Sequence, residues 1–347
     1  MKGNKVRVAI NGFGRIGRAF LRVAAEREDL EVVAVNDLGD IENMAYLLKY
    51  DTVYGRSKFN VSVGENGGRS SIVFGKKNVL YLSQKDPKAL PWKDLEIDVA
   101  VESTGLFTSY AGASAHLKAG AKRVVISAPA KDAVDSTQKA ETILMGINED
   151  KVSSCDITSN ASCTTNAASP FLAVLDEKIG IEKAVLNTVH GYTASQSIVD
   201  GPNKQDWREG RAAAQNIVPS TTGAAIAVTK AMPQLEGKFD GISLRVPVVA
   251  GSIVDVTFIS KRDTSKEEVN KILTEASREE RWKNVLAVTK EELVSSDIQG
   301  DPHASIVDLK FTRVVGGNLV KVLAWYDNEM GYTYTLVEHV IKAGRLI

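Results

Sequence analysis

Short apolar runs alternate with stretches of helical pattern through the first half of the chain. In order, these segments cover residues 6–10, 18–26, 31–36, 97–102, 110–119 and 123–127. The second and fifth have the pattern of helices, and the others are of strand type. Strands that alternate with helices in this way usually form a mostly parallel sheet with helices on both faces. The first half is therefore predicted to be a doubly wound α/β domain.

A glycine-rich turn stands between the first predicted strand and the first predicted helix. Gly12, Gly14 and Gly17 have the spacing of the dinucleotide fingerprint, and Asp37 follows 20 residues beyond the third glycine. These glycines would permit a tight turn, the approach of a pyrophosphate to the helix N-terminus, and close packing of helix on strand. A turn without a ligand is the alternative for the glycines alone, but the complete pattern predicts a dinucleotide site.

The acidic residue after the second predicted strand bears on the type of cofactor. Asp37 can accept hydrogen bonds from ribose hydroxyls, whereas its charge would repel a 2′-phosphate. The next residue, Leu38, adds no positive charge that could relieve this repulsion. NAD is therefore predicted in preference to NADP.

One cysteine in the second half has the surroundings of a nucleophile. Cys163 lies among hydroxyl and amide side chains and precedes a helix-like run, residues 167–179, with Pro170 in its first few positions. Proline is tolerated there because the first helical amides have no partner. Free N–H groups and the helix dipole would stabilise a thiolate. We predict that Cys163 is a nucleophile and not an inert core cysteine, and that Cys155 is structural.

Composition excludes several classes of function. The chain has 347 residues, enough for two domains, and its 43 basic residues balance 43 acidic ones, so neither nucleic acid nor an anionic membrane is an expected partner. It has no apolar run of about 18 residues, no signal-peptide core and no disulfide framework, which favours a cytoplasmic protein. Metal-binding, Walker A and repeat patterns are absent from the sequence, so no metal is expected.

Longer motifs make the chain resemble the phosphorylating glyceraldehyde-3-phosphate dehydrogenases. Residues 159–166, Ser-Asn-Ala-Ser-Cys-Thr-Thr-Asn, match the nucleophile motif of that family. The other matching segments are 190–196, 200–211, 219–225, 243–247 and 325–332. The chain departs from the family at Ala167, where most relatives have a second cysteine, and at residues 248–251, where Val-Val-Ala-Gly replaces Thr-Pro-Asn-Val.

The resemblance implies an architecture and an assembly. A Rossmann NAD domain is expected at residues 1–161, joined by a C-terminal helix at 329–347, and an α+β catalytic domain with a mainly antiparallel sheet at 162–328. A homotetramer is implied, in which the segment 200–211 packs between subunits beside the cofactor. Trp207 in that segment is a large side chain that is usually at least partly buried.

The resemblance also implies the chemistry, which is oxidation of glyceraldehyde 3-phosphate with NAD and inorganic phosphate. Cys163 would attack the aldehyde, and His190 would take the proton of the hemithioacetal as hydride leaves. Phosphate would then displace the resulting thioester. Of the other histidines, His116 and His339 are interpreted as surface or packing residues and His303 as a loop residue.

Binding roles follow from the same resemblance. The residues expected to contact the cofactor are Gly12, Phe13, Gly14, Arg15, Ile16, Gly17, Asp37, Lys85, Ser127 and Asn328. The residues expected to bind the phosphate groups are Ser162, Thr164, Thr193, Thr222, Gly223 and Arg245. Thr193 and Arg245 would bind the phosphate of the sugar, and the other four would form the inorganic phosphate site. The alternatives are a solvated lysine beside Asp86 for Lys85 and a structural ion pair for Arg245.

Two other functions remain possible at this point. Erythrose-4-phosphate dehydrogenase shares the fold and the Cys–His pair, but residues 36–38 and 127–131 look more like the triose enzyme. A non-catalytic NAD-binding interaction protein would not need Cys163, His190 and Arg245 together. Phosphorylating oxidation of glyceraldehyde 3-phosphate is therefore the expected function.

Overall fold

The computed structural model describes residues 5–132, 139–204 and 206–347. The chain forms two compact units. The first unit comprises Met1–Ile143, Asn148–Ala161 and Leu336–Ile347, and the second comprises Leu144–Ile147 and Ser162–Thr335. Residues 1–4 and 133–138 of the predicted NAD domain, and Gln205 of the predicted subunit-facing segment, lie outside the described residues.

The first unit is built on a nine-stranded sheet. Its elements are β1 (Val6–Asn11), α1 (Arg15–Ala25), β2 (Leu30–Asn36), α2 (Ile41–Lys49), β3 (Tyr50–Asp51), β4 (Gly55–Arg56), β5 (Val61–Asn66), β6 (Arg69–Phe74), β7 (Lys77–Leu82), β8 (Val99–Glu102), α3 (Tyr110–Ala113), α4 (Ala115–Lys118), β9 (Arg123–Ile126), β10 (Ala140–Thr142) and β11 (Ile157–Ser159). The strand order is β10-β11-β9-β8-β1-β2-β7-β6-β5, and β3 pairs only with β4.

The strands from β10 to β7 in this order run parallel, and β6 and β5 extend the sheet antiparallel. The chain leaves β1 to one side through β2 and later returns to its other side through β8. Ligands in such sheets bind at the carboxyl ends of the strands where the order reverses. The prediction of a doubly wound α/β domain is confirmed, and β1 marks its switch point.

The second unit has a mainly antiparallel sheet. Its elements are α5 (Cys163–Ile179), β12 (Ile181–Gly191), β13 (Val218–Thr221), α6 (Ala224–Ala231), β14 (Phe239–Val246), β15 (Ser252–Ser260), α7 (Lys266–Ala276), β16 (Leu286–Thr289), β17 (Ser305–Asp308), β18 (Arg313–Val315) and β19 (Leu319–Tyr326). The strand order is β13-β14-β12-β15-β19-β17-β16, with β18 also paired to β19. Only β12–β14 and β16–β17 are parallel pairs. The predicted α+β fold is confirmed.

Helix α5 lies in the core of the second unit. Phe171, Leu172 and Leu175 are fully buried in one cluster with Val254, Val256 and other side chains of the sheet. A helix that is buried on all sides, as α5 largely is, holds its first residue in a fixed position relative to the sheet. The last helix, α8 (Met330–Arg345), passes from the second unit into the first at Leu336.

Two helix predictions need correction. The single helix predicted at 110–119 is two short helices, α3 and α4, because Ser114 interrupts it and donates its hydroxyl to the Ala111 carbonyl at 2.6 Å. Helix α5 begins at Cys163, four residues before Ala167, because Ser162 caps it. Pro170 is therefore inside the helix, where it cannot donate to the carbonyl four residues back.

The described residues contain no helix that is both long enough and apolar enough to cross a bilayer.

Candidate active site

Cys163 is the first residue of α5. Ser162 caps this helix, and its hydroxyl oxygen accepts the Thr165 N–H at 3.1 Å. The unpaired N–H groups of the first turn and the positive end of the helix dipole lie at this terminus. Cys163 as a residue is partly exposed, whereas Cys155 is buried in the first unit.

His190 faces this thiol from β12. Its Nε2 atom lies 3.4 Å from Cys163 Sγ. The register of β12 against the parallel strand β14 pairs His190 with Arg245, and Arg245 Nη1 lies 2.7 Å from His190 Nδ1. The strand register therefore brings together three side chains that are far apart in sequence.

The Nδ1 atom of His190 has two neighbours that require different tautomers. Arg245 can only donate, so its bond requires a lone pair on Nδ1 and a proton on Nε2. The Gly191 carbonyl, 2.6 Å from Nδ1, can only accept and requires the proton on Nδ1. Only the second tautomer leaves a lone pair on Nε2 facing Cys163. The contacts of Nδ1 thus determine whether His190 can act as a base.

The pKa values of both groups are shifted toward their neutral forms. Burial raises the pKa of the Cys163 thiol, against lowering by the charge of Arg245 and by bonds from Thr164. Burial and then the charge of Arg245 lower the pKa of His190 to about 3. Desolvation is the largest influence on the pKa of this thiol, and it opposes the thiolate that was predicted from the helix N-terminus. A proton transfer from Cys163 to His190 changes no net charge and is the direct route to the thiolate.

Arg245 is a cation without a carboxylate partner in the part of the chain that the structure describes. Its Nε atom is buried and has no hydrogen-bond acceptor there. A buried cation is costly unless it is paired. The structure therefore gives no support to the alternative of a structural ion pair, and the guanidinium remains available to an anion.

Tyr326 is a component of this site to which sequence reasoning gave no role. Its buried hydroxyl lies 2.8 Å from the Thr164 hydroxyl and 2.8 Å from the Thr188 hydroxyl. Its ring meets the His190 ring edge-on, with centroids 5.9 Å apart. Tyr326 therefore ties the first turn of α5 to β12, and so fixes Cys163 relative to His190. A tyrosine at the end of an apolar strand gives no sequence signal for this role.

The other predicted phosphate ligands lie at two places in the second unit. Thr193 follows β12, and its hydroxyl is 3.0 Å from that of Ser195. Thr222 and Gly223 precede α6, where Gly223 occupies the cap position without a side chain and has open space around its Cα. Thr222 accepts the Ala224 N–H at 3.2 Å. The described contacts include no bond between these residues and the Cys163–His190 pair.

Asn328 is oriented by the segment in which the chain departs from the family pattern. Its Oδ1 atom accepts the Gly251 N–H at 3.1 Å and the Ser252 hydroxyl at 3.0 Å, which leaves its amide N–H groups as donors. Gly251 has φ of 91°, and a Cβ there would lie 2.2 Å from the Ser295 carbonyl oxygen. Glycine is therefore required at this position.

The glycine turn of the first unit has the geometry of a dinucleotide-binding turn. Gly12 has φ of 95°, and a Cβ on it would lie 2.5 Å from Thr104 N. A Cβ on Gly17 would lie 2.2 Å from the Gly12 carbonyl oxygen, whereas Gly14 has nothing within 4 Å. Gly14 caps α1, which has neither a side-chain cap nor an acidic residue in its first turn. An anion can therefore approach the N–H groups at this end.

Asp37 is held beside this turn. Its Oδ2 atom accepts the Phe13 N–H at 2.7 Å, and its Oδ1 atom accepts the Gly39 N–H at 2.8 Å. Each oxygen keeps a lone pair for a further donor. The structure thus brings together the glycine motif and the acid that lies 24 residues after Phe13 in the chain.

The remaining predicted cofactor residues differ in their surroundings. Arg15 pairs with Asp51 at 2.7 Å, and Ser127 directly follows β9. Ile16 is half-buried in the first turn of α1, whereas Lys85 is exposed in the loop after β7 and has no described bond. The structure thus leaves open both interpretations of Lys85.

The groups expected to be structural are buried. His116 and His339 are fully buried, and burial raises the pKa of Cys155. His303 lies in a loop and contacts Asp301 at 2.9 Å. Within the described ranges, no three His, Cys, Asp or Glu side chains cluster as metal ligands would.

Comparison with known proteins gives matches along nearly the whole chain. Residues 6–110 match the family model "Glyceraldehyde 3-phosphate dehydrogenase, NAD binding domain", and residues 162–328 match the model of the C-terminal domain of the same family. Proteins named glyceraldehyde-3-phosphate dehydrogenase from Mycobacterium avium and Streptomyces coelicolor are 48% and 47% identical, over 98% of this chain and 99% and 98% of their own lengths. One from Geobacillus stearothermophilus is 46% identical over 96% of both chains.

Proposed function

The chain belongs to the glyceraldehyde-3-phosphate dehydrogenase family, and from this premise we propose which of its residues carry the reaction. It is an NAD-dependent, phosphorylating dehydrogenase that oxidises glyceraldehyde 3-phosphate to 1,3-bisphosphoglycerate in glycolysis. We propose that Cys163 is its nucleophile and His190 its base. The observation that carries this assignment is the 3.4 Å distance between Cys163 Sγ and His190 Nε2.

NAD is the cofactor, and the first unit has residues that fit it. The open space at Gly14 and the uncapped N-terminus of α1 suit a pyrophosphate, and Asp37 suits ribose hydroxyls. We assign cofactor binding to residues 1–161 with 329–347, and catalysis to 162–328. The proposed contacts are Gly12, Phe13, Gly14, Arg15, Ile16, Gly17, Asp37, Lys85, Ser127 and Asn328. When bound, NAD accepts the hydride from the substrate carbon.

The chain's own residues carry the covalent steps. Cys163 transfers its proton to His190, its sulfur forms a bond to the aldehyde carbon, and His190 returns the proton to the carbonyl oxygen, which gives a hemithioacetal. His190 then takes the proton of the hemithioacetal hydroxyl as the hydride leaves, and the product is a thioester on Cys163. An oxygen of inorganic phosphate attacks the thioester carbon and the sulfur leaves as thiolate, which releases the acyl phosphate.

Phosphate binding is proposed from the unpaired cation and the helix ends of the second unit. Arg245 and Thr193 would bind the phosphate carried by the sugar, and Ser162, Thr164, Thr222 and Gly223 would bind inorganic phosphate. A phosphate on the Arg245 guanidinium would draw it from His190 Nδ1. That nitrogen would then donate to the Gly191 carbonyl, and Nε2 would be left with the lone pair that a base needs.

A homotetramer in the cytoplasm is the assembly and location that we propose. Trp207 is 85% exposed in the single chain, and Ile198, Val199 and Ile217 are exposed with it. Exposed apolar side chains that form a large contiguous patch mark a surface that another protein covers, and we propose that these four belong to one. We expect light scattering to give four times the chain mass of 37.5 kDa. A fully active monomer at nanomolar concentration would contradict the proposed role of this surface.

Substitution of the nucleophile tests the assignment. Cys163→Ser should lose nearly all NADH formation and keep its affinity for NAD, because a serine hydroxyl is barely ionised at neutral pH. Iodoacetamide should label Cys163 much faster than Cys155. An active serine variant, or equal labelling of the two thiols, would show that Cys163 is not the nucleophile.

The relatives do not support the two alternative functions. Assays with glyceraldehyde 3-phosphate and erythrose 4-phosphate, each with and without inorganic phosphate, measure the preference directly. We expect higher kcat/KM for the triose and a strict need for phosphate in turnover.

A further inference from the structure

Three neighbouring strands of the first unit end in buried polar residues. Asn11 ends β1, Asn36 ends β2 and Glu102 ends β8, and these strands are adjacent in the order β8-β1-β2. Glu102 is only 1% exposed. Buried polar groups persist in proteins where they are hydrogen-bonded. The partners of these three side chains therefore indicate what they do.

Glu102 accepts hydrogen bonds at both oxygens. Its Oε2 atom accepts from Asn11 Nδ2 at 2.7 Å and from His116 Nε2 at 2.9 Å. Its Oε1 atom accepts the Thr104 N–H at 2.8 Å and also the Thr104 hydroxyl. Glu102 accepts in each of these bonds, which is how a carboxylate acts.

Trp92 determines the tautomer of His116. The indole Nε1–H can only donate, and it lies 3.0 Å from His116 Nδ1. His116 Nδ1 must therefore carry a lone pair, and its proton is on Nε2, where it points to Glu102. His116 is neutral in this arrangement. Among the residues that the structure describes, Glu102 has no arginine or lysine partner, and only neutral donors contact it.

The network continues across the sheet to the turns that we assign to the cofactor. Asn11 Oδ1 accepts from Asn36 Nδ2 at 2.7 Å, and Asn36 Oδ1 accepts the Gln84 N–H at 2.8 Å. Asn11, Asn36 and Gln84 directly precede Gly12, Asp37 and Lys85 in the chain. A single buried network thus reaches the residue before each of three proposed dinucleotide contacts.

We propose that Glu102, held by neutral His116, is a positioning residue for the dinucleotide site. It fixes the turns after β1, β2 and β8 relative to one another, so that the glycine turn and Asp37 are in place before NAD binds. A fully satisfied buried network is rigid, and a rigid site loses less entropy when the ligand binds. The inference rests on the proposed function, because that assigns Gly12 and Asp37 to the cofactor.

The experiment is a set of NAD titrations of the full-length enzyme without substrate, followed by fluorescence and paired with melting temperatures. Glu102→Gln should weaken NAD binding about tenfold. One end of the glutamine side chain is an NH2 group, and in either orientation this group faces hydrogen-bond donors. The KM for NAD should rise in parallel, while kcat at saturating NAD should change less than about threefold, since the chemistry lies elsewhere.

His116 supplies a conservative pair of variants. His116→Gln keeps one donor for Glu102 and one acceptor for Trp92, so it should bind NAD nearly as well as the wild type. His116→Leu removes both and should weaken NAD as Glu102→Gln does. If Glu102→Gln does not fold, the NAD affinities of His116→Leu and His116→Gln are compared, and this comparison tests the inference.

Tyr110→Phe is the matched control for stability. It also loses a buried hydrogen bond in the first unit, between the Tyr110 and Thr142 hydroxyls at 3.2 Å, but at β10. The inference fails if Glu102→Gln binds NAD within twofold of wild type, or if Tyr110→Phe weakens NAD as much. It also fails if His116→Gln is as defective as His116→Leu.

Asp37→Ala separates failure of this inference from failure of the proposed function. If Asp37→Ala weakens NAD and Glu102→Gln does not, only the positioning role is wrong. If Asp37→Ala leaves the affinity unchanged, the assignment of the cofactor to this edge is wrong, and the inference is overturned with it.

Discussion

The two units differ in how completely their buried polar groups are satisfied. In the first unit, both ring nitrogens of His116 and of His339 have partners. In the second, His190 Nδ1 lies between a donor and an acceptor, and Arg245 Nε is buried without a partner. Of ten such unpartnered buried atoms in the described side chains, eight are in the second unit.

This difference corresponds to the two functions proposed for the units, cofactor binding and catalysis. In the proposed function the first unit binds NAD with backbone groups and open space, at Gly14 and the end of α1, so its side chains can be fully used to hold the strand ends. The second unit is proposed to perform its chemistry with side chains, which must be free to exchange protons and to bind an anion. An unsatisfied buried group is costly, and one that persists, such as Arg245 Nε, is often explained by a functional role.

The largest expected effect is that of replacing His190, whose Nδ1 atom lies between a donor and an acceptor. His190→Asn should lower the rate of hydride transfer by about two to four orders of magnitude, the usual range for a lost general base. The measurement is pre-steady-state NADH formation at saturating NAD. It should also slow the alkylation of Cys163 near neutral pH, because the thiol loses its proton acceptor. An unchanged burst of NADH formation would show that His190 is not the base.

The next effect tests the first unit as a binding scaffold. Asp37→Ala should weaken NAD binding and relieve the repulsion of the NADP 2′-phosphate. The preference for NAD over NADP should fall by about ten- to a hundredfold. The measurement is kcat/KM for both cofactors at constant substrate. A wild-type enzyme that prefers NADP would contradict the interpretation of Asp37.

Predictions from the sequence agree best with the structure where the whole pattern lies within a short stretch of chain. The glycine turn and Asp37 were predictable because spacing, strand and helix all lie within one short stretch of chain. The pairing of His190 with Arg245 was not, since it depends on the register of β12 against β14. The network of Asn11, Asn36 and Glu102 was missed for the same reason.

The start of α5 shows a second limit. The chain enters it through Ala161, which has φ of 55°, a left-handed conformation that costs a non-glycine residue about 1–2 kcal/mol. Tertiary packing imposes this conformation, and no local pattern indicates it. The shift of the Cys163 pKa by burial has the same origin, because desolvation depends on neighbours that are distant in sequence.

The same substitution, tyrosine to phenylalanine, can be compared in the two units. Tyr326 and Tyr110 are both buried, and each bonds to threonine hydroxyls. Tyr326→Phe should lower kcat/KM about tenfold, because Cys163 and His190 lose their common support and small displacements are costly in catalysis. Tyr110→Phe should lower the melting temperature and leave kcat/KM within about twofold, since a lost buried hydrogen bond at β10 affects stability alone. Equal kinetic losses would mean that Tyr326 has no special role in the site.

The smallest effect concerns two buried histidines with the same lowered pKa. Burial, and then the charge of Lys342, lower the pKa of His339 to about 3, and His190 is lowered to about 3 as well. An unfolded histidine has a pKa of about 6.5. Between these values the unfolded state binds more protons, so stability is complete above pH 6.5 and falls as the pH falls toward 3.

His339→Gln should therefore flatten the acid side of the stability profile. The native histidine loses about 2 kcal/mol of stability between pH 6.5 and pH 5, and the glutamine variant, which cannot be protonated, should not show that part of the loss. Glutamine can still donate to Asn160 and accept from Thr158, so kcat should stay within about twofold, since those two bonds are kept. His190→Asn should flatten the profile similarly while it strongly lowers the rate of turnover. Melting temperatures from pH 4.5 to 7.5, with kcat at pH 7.5, measure both. An unchanged acid slope in His339→Gln would mean that folding does not lower the pKa of this histidine, and the comparison with His190 would then fail.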